Sequence, residues 1–488
     1  MATPHPRTAW LTALTGAAIA AGTLTGTPAA ALTGDPTPNG SYAFTAKLDI
    51  GAGNRVCTGT LVDPSWILTA AGCFADDPAR ATALPAGAPK DHTTATVGGV
   101  GADVVQLVPR QDRDLVLAKL SHPVFGTAPA AVATVPATPG DALRVVGWGR
   151  TKDEWLPQQT HTGTTAVTAA DATALTLTPK TAGGAVCKGD AGAPVLREKN
   201  GGVELTGIAT RSWQGGCLDE TETRNSALAS RTDDLAGWVG STVAQGGPVL
   251  APGTRIESGR TVTGKDLQLA MQADGNLVVT HRGISGGVLW SSNTGGNPGA
   301  YATVQEDGNF VVYRAGASGG TGALWASGTF WSPGSYVRLQ DDGNIVVYKK
   351  DGGTETGGAL WSTGTQQFAP VLVGETPIRA ARWTSARSTV LEMQPDGNLV
   401  LYRKSDGVPL WSSKTSGNPG AWLAMQADGN VVVYRAGASG GTGALWASGT
   451  FWSPGAYLKL QDDGNLVVYK KDGGTETGGA LWSTSTFA

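Results

Sequence analysis

The chain has 488 residues with 36 basic and 39 acidic side chains, a formal charge of −3. Charge this near balance, with no basic run, excludes nucleic acid or an anionic membrane surface as the partner implied by electrostatics. Glycine is abundant, at 71 residues, without a collagen-like period, and no long helical periodicity occurs; both features predict an all-β chain rich in turns.

The first stretch reads as a processing segment. Arg7 precedes an apolar run from Ala9 to about Leu24, and Ala29-Ala30-Ala31 supplies a small-residue cleavage site. The run is diluted with Thr and Gly and falls short of ~20 strongly apolar residues, so residues 1–31 are expected to be a signal peptide and not an anchor, with no membrane insertion. Four cysteines follow, Cys57, Cys73, Cys187 and Cys217. In an exported chain an even count implies disulfides, with three connectivities open.

Between residues 32 and 243, short apolar runs separated by turn clusters predict strands, among them Tyr42–Leu48, Trp66–Thr69, Ala142–Trp148 and Val203–Ala209. Thr232-Asp233-Asp234-Leu235 reads as a helix start, a capping hydroxyl with acids in the first turn, and the helix is expected to run through Trp238. Gln245-Gly246-Gly247-Pro248 reads as a linker, over 244–250.

From there on the chain is built from one frame, Gln-x-Asp-Gly-Asn-x-Val-x-Tyr, which occurs six times. Its polar residues are Gln272, Asp274 and Asn276; Gln305, Asp307, Asn309 and Tyr313; Gln340, Asp342, Asn344 and Tyr348; Gln394, Asp396, Asn398 and Tyr402; Gln426, Asp428, Asn430 and Tyr434; and Gln461, Asp463, Asn465 and Tyr469. The first frame has Thr280 in place of Tyr. Equivalent frames lie 122, 121 and 121 residues apart, and Tyr313–Thr363 is nearly repeated at Tyr434–Thr484, so two units of three frames arose by duplication (251–366 and 367–488). Asp-Gly predicts a hairpin turn. In an extended run the frame residues share one face, and the residues between them enter a core. Amides, a carboxylate and a phenol beside a small apolar Val offer the donors, acceptors and C–H contact that vicinal sugar hydroxyls require. A calcium loop would need a terminal Glu ligand that the frame lacks, and no metal site is expected. A Leu-Trp pair follows each frame (Trp290, Trp325, Trp361, Trp411, Trp446 and Trp482), which predicts three units sharing a core on a pseudo-threefold axis.

The six frames resemble the signature of the bulb-type, or monocot mannose-binding, lectins. The resemblance implies two β-prism domains, hydrogen bonding of mannose hydroxyls by Gln, Asp, Asn and Tyr, and Val packed on the sugar ring. The earlier region resembles the chymotrypsin/trypsin family through Cys57-Thr58-Gly59-Thr60-Leu61, Trp66-Ile67-Leu68-Thr69-Ala70-Ala71, Asp114-Leu115-Val116-Leu117-Ala118-Lys119-Leu120, Gly147-Trp148-Gly149, Cys187-Lys188-Gly189-Asp190-Ala191-Gly192-Ala193-Pro194 and Ser212-Trp213 before Cys217. That resemblance implies a double β-barrel and bridges Cys57–Cys73 and Cys187–Cys217. It also implies a salt link from a mature N-terminus at Leu32 to Asp190, and an apolar Ala185 at the base of the specificity pocket. At the catalytic positions the chain departs from the family. Gly72 stands where the family has its His and Ala191 where it has its Ser, leaving Asp114 alone of the triad. An Asp orients the imidazole but attacks nothing. The expectation is a secreted, non-catalytic protein that binds mannose-type glycans or polysaccharide, needs no cofactor, and offers its protease-like domain to an unidentified protein ligand. The alternatives are a glycan-targeted endopeptidase with atypical catalytic groups and a lectin-like bacteriocin or adhesin.

Overall fold

The computed structural model describes residues 35–37, 41–180, 184–199, 201–282, 288–318, 320–373, 377–438 and 441–488. The expected signal peptide and Leu32 lie outside the described residues. The one α-helix among the described residues is short, and everything else regular is strand apart from two 3₁₀ turns.

Two barrels come first. Thr45–Ile50, Arg55–Asp63, Trp66–Thr69, Val116–Leu120, Val100–Pro109 and Thr93–Val97 close into the first. In the second, Ala142–Gly147 pairs with both His161–Ala170 and Pro194–Lys199, which closes a ring completed by Ala174–Pro179, Ala227–Arg231 and Gly202–Ser212. Closure leaves no free sheet edge in either ring. Leu48, Leu61, Ile67 and Ala118 fill the first barrel, and Leu143, Val145, Leu175 and Leu177 the second. Both bridges, Cys57–Cys73 and Cys187–Cys217, are formed.

Two local expectations shift. Tyr42 is not in a strand but in a turn, with φ 55°, and its strand begins at Thr45. The helix spans Ala236–Val243 and starts on Leu235 without a side-chain cap. Its expected capping residues are otherwise engaged. The Thr232 hydroxyl donates to the carbonyl of Leu205, while Asp233 pairs with Arg231 and Asp234 with Arg113. Tertiary partners outbid the local cap.

The remaining residues form two units. The first has three four-stranded sheets, each holding one frame, and the second has two four-stranded sheets and one of three strands. In both, the residues between frame positions face inward: Leu277, Val279, Phe310, Val312, Ile345 and Val347 in one core, and Leu399, Leu401, Val431, Val433, Leu466 and Val468 in the other. The expected tryptophan trios form. Trp290, Trp325 and Trp361 meet edge to face at 5.1–5.5 Å between ring centres, and Trp411, Trp446 and Trp482 at 5.2–5.6 Å. Each unit is also tied end to end, because its leading strand (Val249–Leu250, or Val371–Leu372) pairs with the strand before its third frame.

Candidate functional site

The first site is the cleft between the barrels, a cavity of about 610 Å³ lined by Asp114, Gly72, Ala191, Gly189, Arg211 and Ser212 among others. The three residues expected at the triad positions are thus brought together. Asp114 Oδ1 accepts the Gly72 N–H at 2.8 Å, so the carboxylate points at Gly72. Burial raises the Asp114 pKa above the ordinary carboxylate range, against the Gly72 hydrogen bond and the Arg211 charge, which lower it. None of the described histidines lines the cleft. His92 faces Asp103, His122 lies beside Ser121, His161 is buried in the second barrel and His281 belongs to the repeats. The Ser212 hydroxyl donates to the carbonyl of Val186 and has no base beside it.

Asp190 lies behind Ala191 and is wholly enclosed. Its two oxygens accept the N–H groups of Gly149 and Cys187, both at 2.8 Å, and burial pushes its pKa to about 7. The Gly147-Trp148-Gly149 string has a steric reason: a Cβ on Gly147 would fall 1.9 Å from Asp190 Oδ1, and one on Gly149 2.5 Å from it. Ala185 is buried against the Cys187–Cys217 bridge.

The second set of sites is the six frames, and here one local construction repeats. In each, Gln N–H donates to the Asn carbonyl and the Gly N–H to the Gln carbonyl, making a tight turn with Gly at φ between 83° and 95°. The hairpin and the shared face therefore coexist: the turn spans Gln to Asn, and the strand starts after it. Asp Oδ1 accepts the N–H of the frame Asn at 2.9–3.0 Å in all six. That leaves the second carboxylate oxygen without a role in the turn. In the five frames with Tyr, the Gln side-chain amide donates to the Tyr hydroxyl at 2.9–3.1 Å, which places both on one face. In the first frame Thr280 bonds instead with Gln268 at 3.1 Å.

One set of residues escaped the sequence reading. The Asn side-chain oxygen is held from below by a Ser or Thr hydroxyl and by backbone N–H groups. Asn309, for instance, accepts from Ser327 Oγ and Thr329 N, both at 3.1 Å, and Asn430 from Ser448 Oγ at 3.1 Å and Gly449 N at 3.0 Å. With the oxygen so engaged, the amide NH₂ faces away from the turn as a donor. The signal was present in the sequence as Trp-x-Ser/Thr-x-Thr after every frame, for example Trp325-Ala326-Ser327-Gly328-Thr329.

The frames differ in what covers them. Val311 and Tyr313 of the second frame pack with Tyr301 and Ala317, and Val432 and Tyr434 of the fifth with Trp422 and Ala438, all within their own units. In the third frame Val346 and Tyr348 lie under Phe125 and Val249, with Phe125 edge-on to Tyr336 at 5.7 Å. Lys119–Glu355 at 2.7 Å and Arg338 to Ser65 at 3.0 Å seal the same contact with the first barrel. The fourth frame meets the first unit: Trp383, Val390, Val400 and Tyr402 join that unit's core, and Trp383 stands edge-on to His281 at 4.7 Å. In the sixth frame the Gln461 amide is shared between Tyr469 and Thr475, and the side chain is buried.

Comparison with known proteins bears on the domain that holds the first of these sites. The family model described as Trypsin matches residues 31–239. The chain is similar to the hepatocyte growth factor activator serine protease of Mus musculus, 27% identical over 223 residues that cover 36% of this chain and 32% of that protein. It is also similar to snake venom serine proteinase 14 of Crotalus adamanteus, 27% identical over 220 residues (40% of this chain, 81% of that one), and to human kallikrein-10, 33% identical over 139 residues (24% and 47%). The chain spans about a third of the mouse protein's length and under half of kallikrein-10. Residues 31–239 form a trypsin-like serine protease domain, with the double barrel and two disulfides that go with it.

Proposed function

We propose that the protein is an exported glycan-binding protein. In this reading residues 1–31 are a cleaved leader, 32–243 a protease-like domain without catalysis, and 249–366 and 367–488 two β-prism lectin domains of the bulb type; the linker expected over 244–250 shortens to 244–248, because Val249–Leu250 is the first unit's leading strand. The carrying observation is the repeated turn that anchors the Asn oxygen and the Asp oxygen nearest the chain while leaving an amide donor, a carboxylate oxygen and a phenol together over a Val. That is a mannose hydroxyl set's complement, with no metal or cofactor required. The second and fifth frames carry the binding and the sixth contributes a narrower site. The first lacks the phenol, while the third and fourth have their apolar platform covered.

Acyl transfer needs a nucleophile and a base to deprotonate it. The cleft has Ala191 and Gly72 at those positions, and this supports a domain that binds without cleaving, its ligand a protein segment. The reading as an active endopeptidase is favoured by the family match of residues 31–239 alone. A fluorophosphonate probe separates the two, because only an activated serine takes it up.

Each sugar site, shallow and wet, is expected near millimolar, about −4 kcal/mol. Two or three on one chain gain roughly 10²–10⁴ on a dense glycan if spacing allows simultaneous contact. Calorimetry with methyl α-mannoside tests the reading on Asp307→Asn with Asp428→Asn, which keep the oxygen that caps the turn. Loss of at least two binding equivalents is expected. A natural chain that binds no hexose overturns it.

A further inference from the structure

The loops after the second and fifth frames each expose a pair of aromatic rings. Phe330 is 61% and Trp331 64% exposed, and Phe451 is 57% and Trp452 65% exposed. Within each pair the rings stand nearly perpendicular, with centres 5.5 Å and 4.9 Å apart. Large apolar groups left in water forgo the stabilisation that burial would give. Elsewhere in the repeats the equivalent loops run differently: Thr294-Gly295-Gly296-Asn297-Pro298-Gly299 follows the first frame and Thr415-Ser416-Gly417-Asn418-Pro419-Gly420 the fourth.

The rings are held at a fixed place beside the frame. Thr329 donates its hydroxyl to the Gly308 carbonyl at 2.7 Å and its N–H to Asn309, and three residues past the rings Gly334 N–H reaches the Glu306 carbonyl at 3.1 Å. The fifth frame repeats this, with Thr450 on Gly429 at 2.6 Å and Ser453 N–H on the Asp428 carbonyl at 3.0 Å. The Ser332 carbonyl sits so close that a Cβ on Gly308 would lie 1.9 Å from it, so loop and turn are one body. Phe330 and Trp331 are therefore the free tip of a loop clamped on both sides to the turn that presents Asp307.

We propose that each aromatic pair is a second sugar subsite, taking the pyranose next to the one held by the frame, so that the second and fifth frames recognise an oligosaccharide and not a single mannose. This rests on the glycan-binding reading of the frames. Two perpendicular rings make a corner whose faces accept the C–H face of a pyranose, and the adjoining frame fixes which sugar lies beside it. A lipid surface fits worse: Glu306 and Asp307 are exposed next to the first pair, and acidic neighbours repel an anionic bilayer. Both substituted positions are exposed loop tips, so truncation there leaves the cores intact.

The test is calorimetry on the full chain and on Trp331→Ala with Trp452→Ala, using methyl α-mannoside and a linear mannotriose. The natural chain is expected to bind the trisaccharide about tenfold tighter than the monosaccharide, and the double variant to lose that factor while monosaccharide binding holds. Equal binding of both sugars by the natural chain, or an undiminished preference for the trisaccharide in the variant, overturns the subsite and leaves the frames as lectin sites. A natural chain that binds neither sugar defeats the frame reading itself. Loss of binding to neutral phosphatidylcholine vesicles, with trisaccharide affinity unchanged, assigns the rings to lipid.

Discussion

The cleft between the barrels and the turn at Asn430 are both places where a backbone scaffold aims side chains at one point. In the cleft the scaffold brings a carboxylate to bear on a residue with no side chain: Asp114 points at position 72, which is glycine. At Asn430 the scaffold consumes one atom of each polar group and leaves the other facing out. The difference teaches that a trypsin-like frame reports ancestry, whereas a site is read from the atoms that scaffolding leaves unspent.

The comparison breaks most visibly if the cleft is refilled. Gly72→His with Ala191→Ser restores base and nucleophile, and a Cβ at position 72 has room, 3.4 Å from Asp114 Oδ2. Absence of either group costs on the order of 10⁶ in rate, so the natural chain should take up no fluorophosphonate and the double variant should label measurably. Labelling of the natural chain would remove the contrast.

A smaller effect separates covered frames from open ones. His281 and Glu392 face each other at 3.5 Å between the two units, both buried. Burial, with a lesser push from Asp396, raises Glu392 to about 8; burial, with Lys404, lowers His281 to about 3. Both groups are therefore neutral when folded. The raised carboxyl keeps its proton in the native state, so stability is present below the unfolded carboxylate range and is lost as pH climbs toward 8. The depressed imidazole contributes the other limb, with stability lost as pH falls below about 6.5 toward 3. From pH 5 to 8.5 the carboxyl limb removes on the order of 4 kcal/mol and the imidazole limb restores about 2, so urea unfolding should show a net loss on the order of 2 kcal/mol, which Glu392→Gln should abolish.

Tyr434→Phe removes one hydroxyl and keeps the ring stacked on Trp422, 4.9 Å between centres. About 1 kcal/mol, a fivefold weaker mannoside at that frame by calorimetry, is expected. Tyr348→Phe in the frame under Phe125 should change nothing measurable. Phe125→Ala should loosen the first barrel from the third frame by about 1 kcal/mol or less. Faster hydrogen exchange across Tyr336–Leu339 reads it.

Much of this was legible in the chain. Alternation placed Leu277 and Val279 inside, a recurring Leu-Trp foretold the aromatic trios, and the family resemblance gave both cystine pairs. The helix start failed because Thr232 and Asp234 found distant partners, Leu205 and Arg113, and Asp233 pairs with its neighbour Arg231. The Ser/Thr props under each Asn were missed, although their recurrence after each Trp was in plain view.

By itself the sequence determined the repeating turn, since Gly at a left-handed position and Asp two residues before its own backbone partner are local requirements met within nine residues. It also determined that no attacking oxygen stands at position 191. Only the tertiary structure decided which frames meet a neighbouring domain. Lys119 and Glu355 meet across 236 positions of sequence, and His281 meets Glu392 across a unit boundary. Such contacts depend on how whole sheets pack, and the frames they cover are spelled the same way as the frames they leave open.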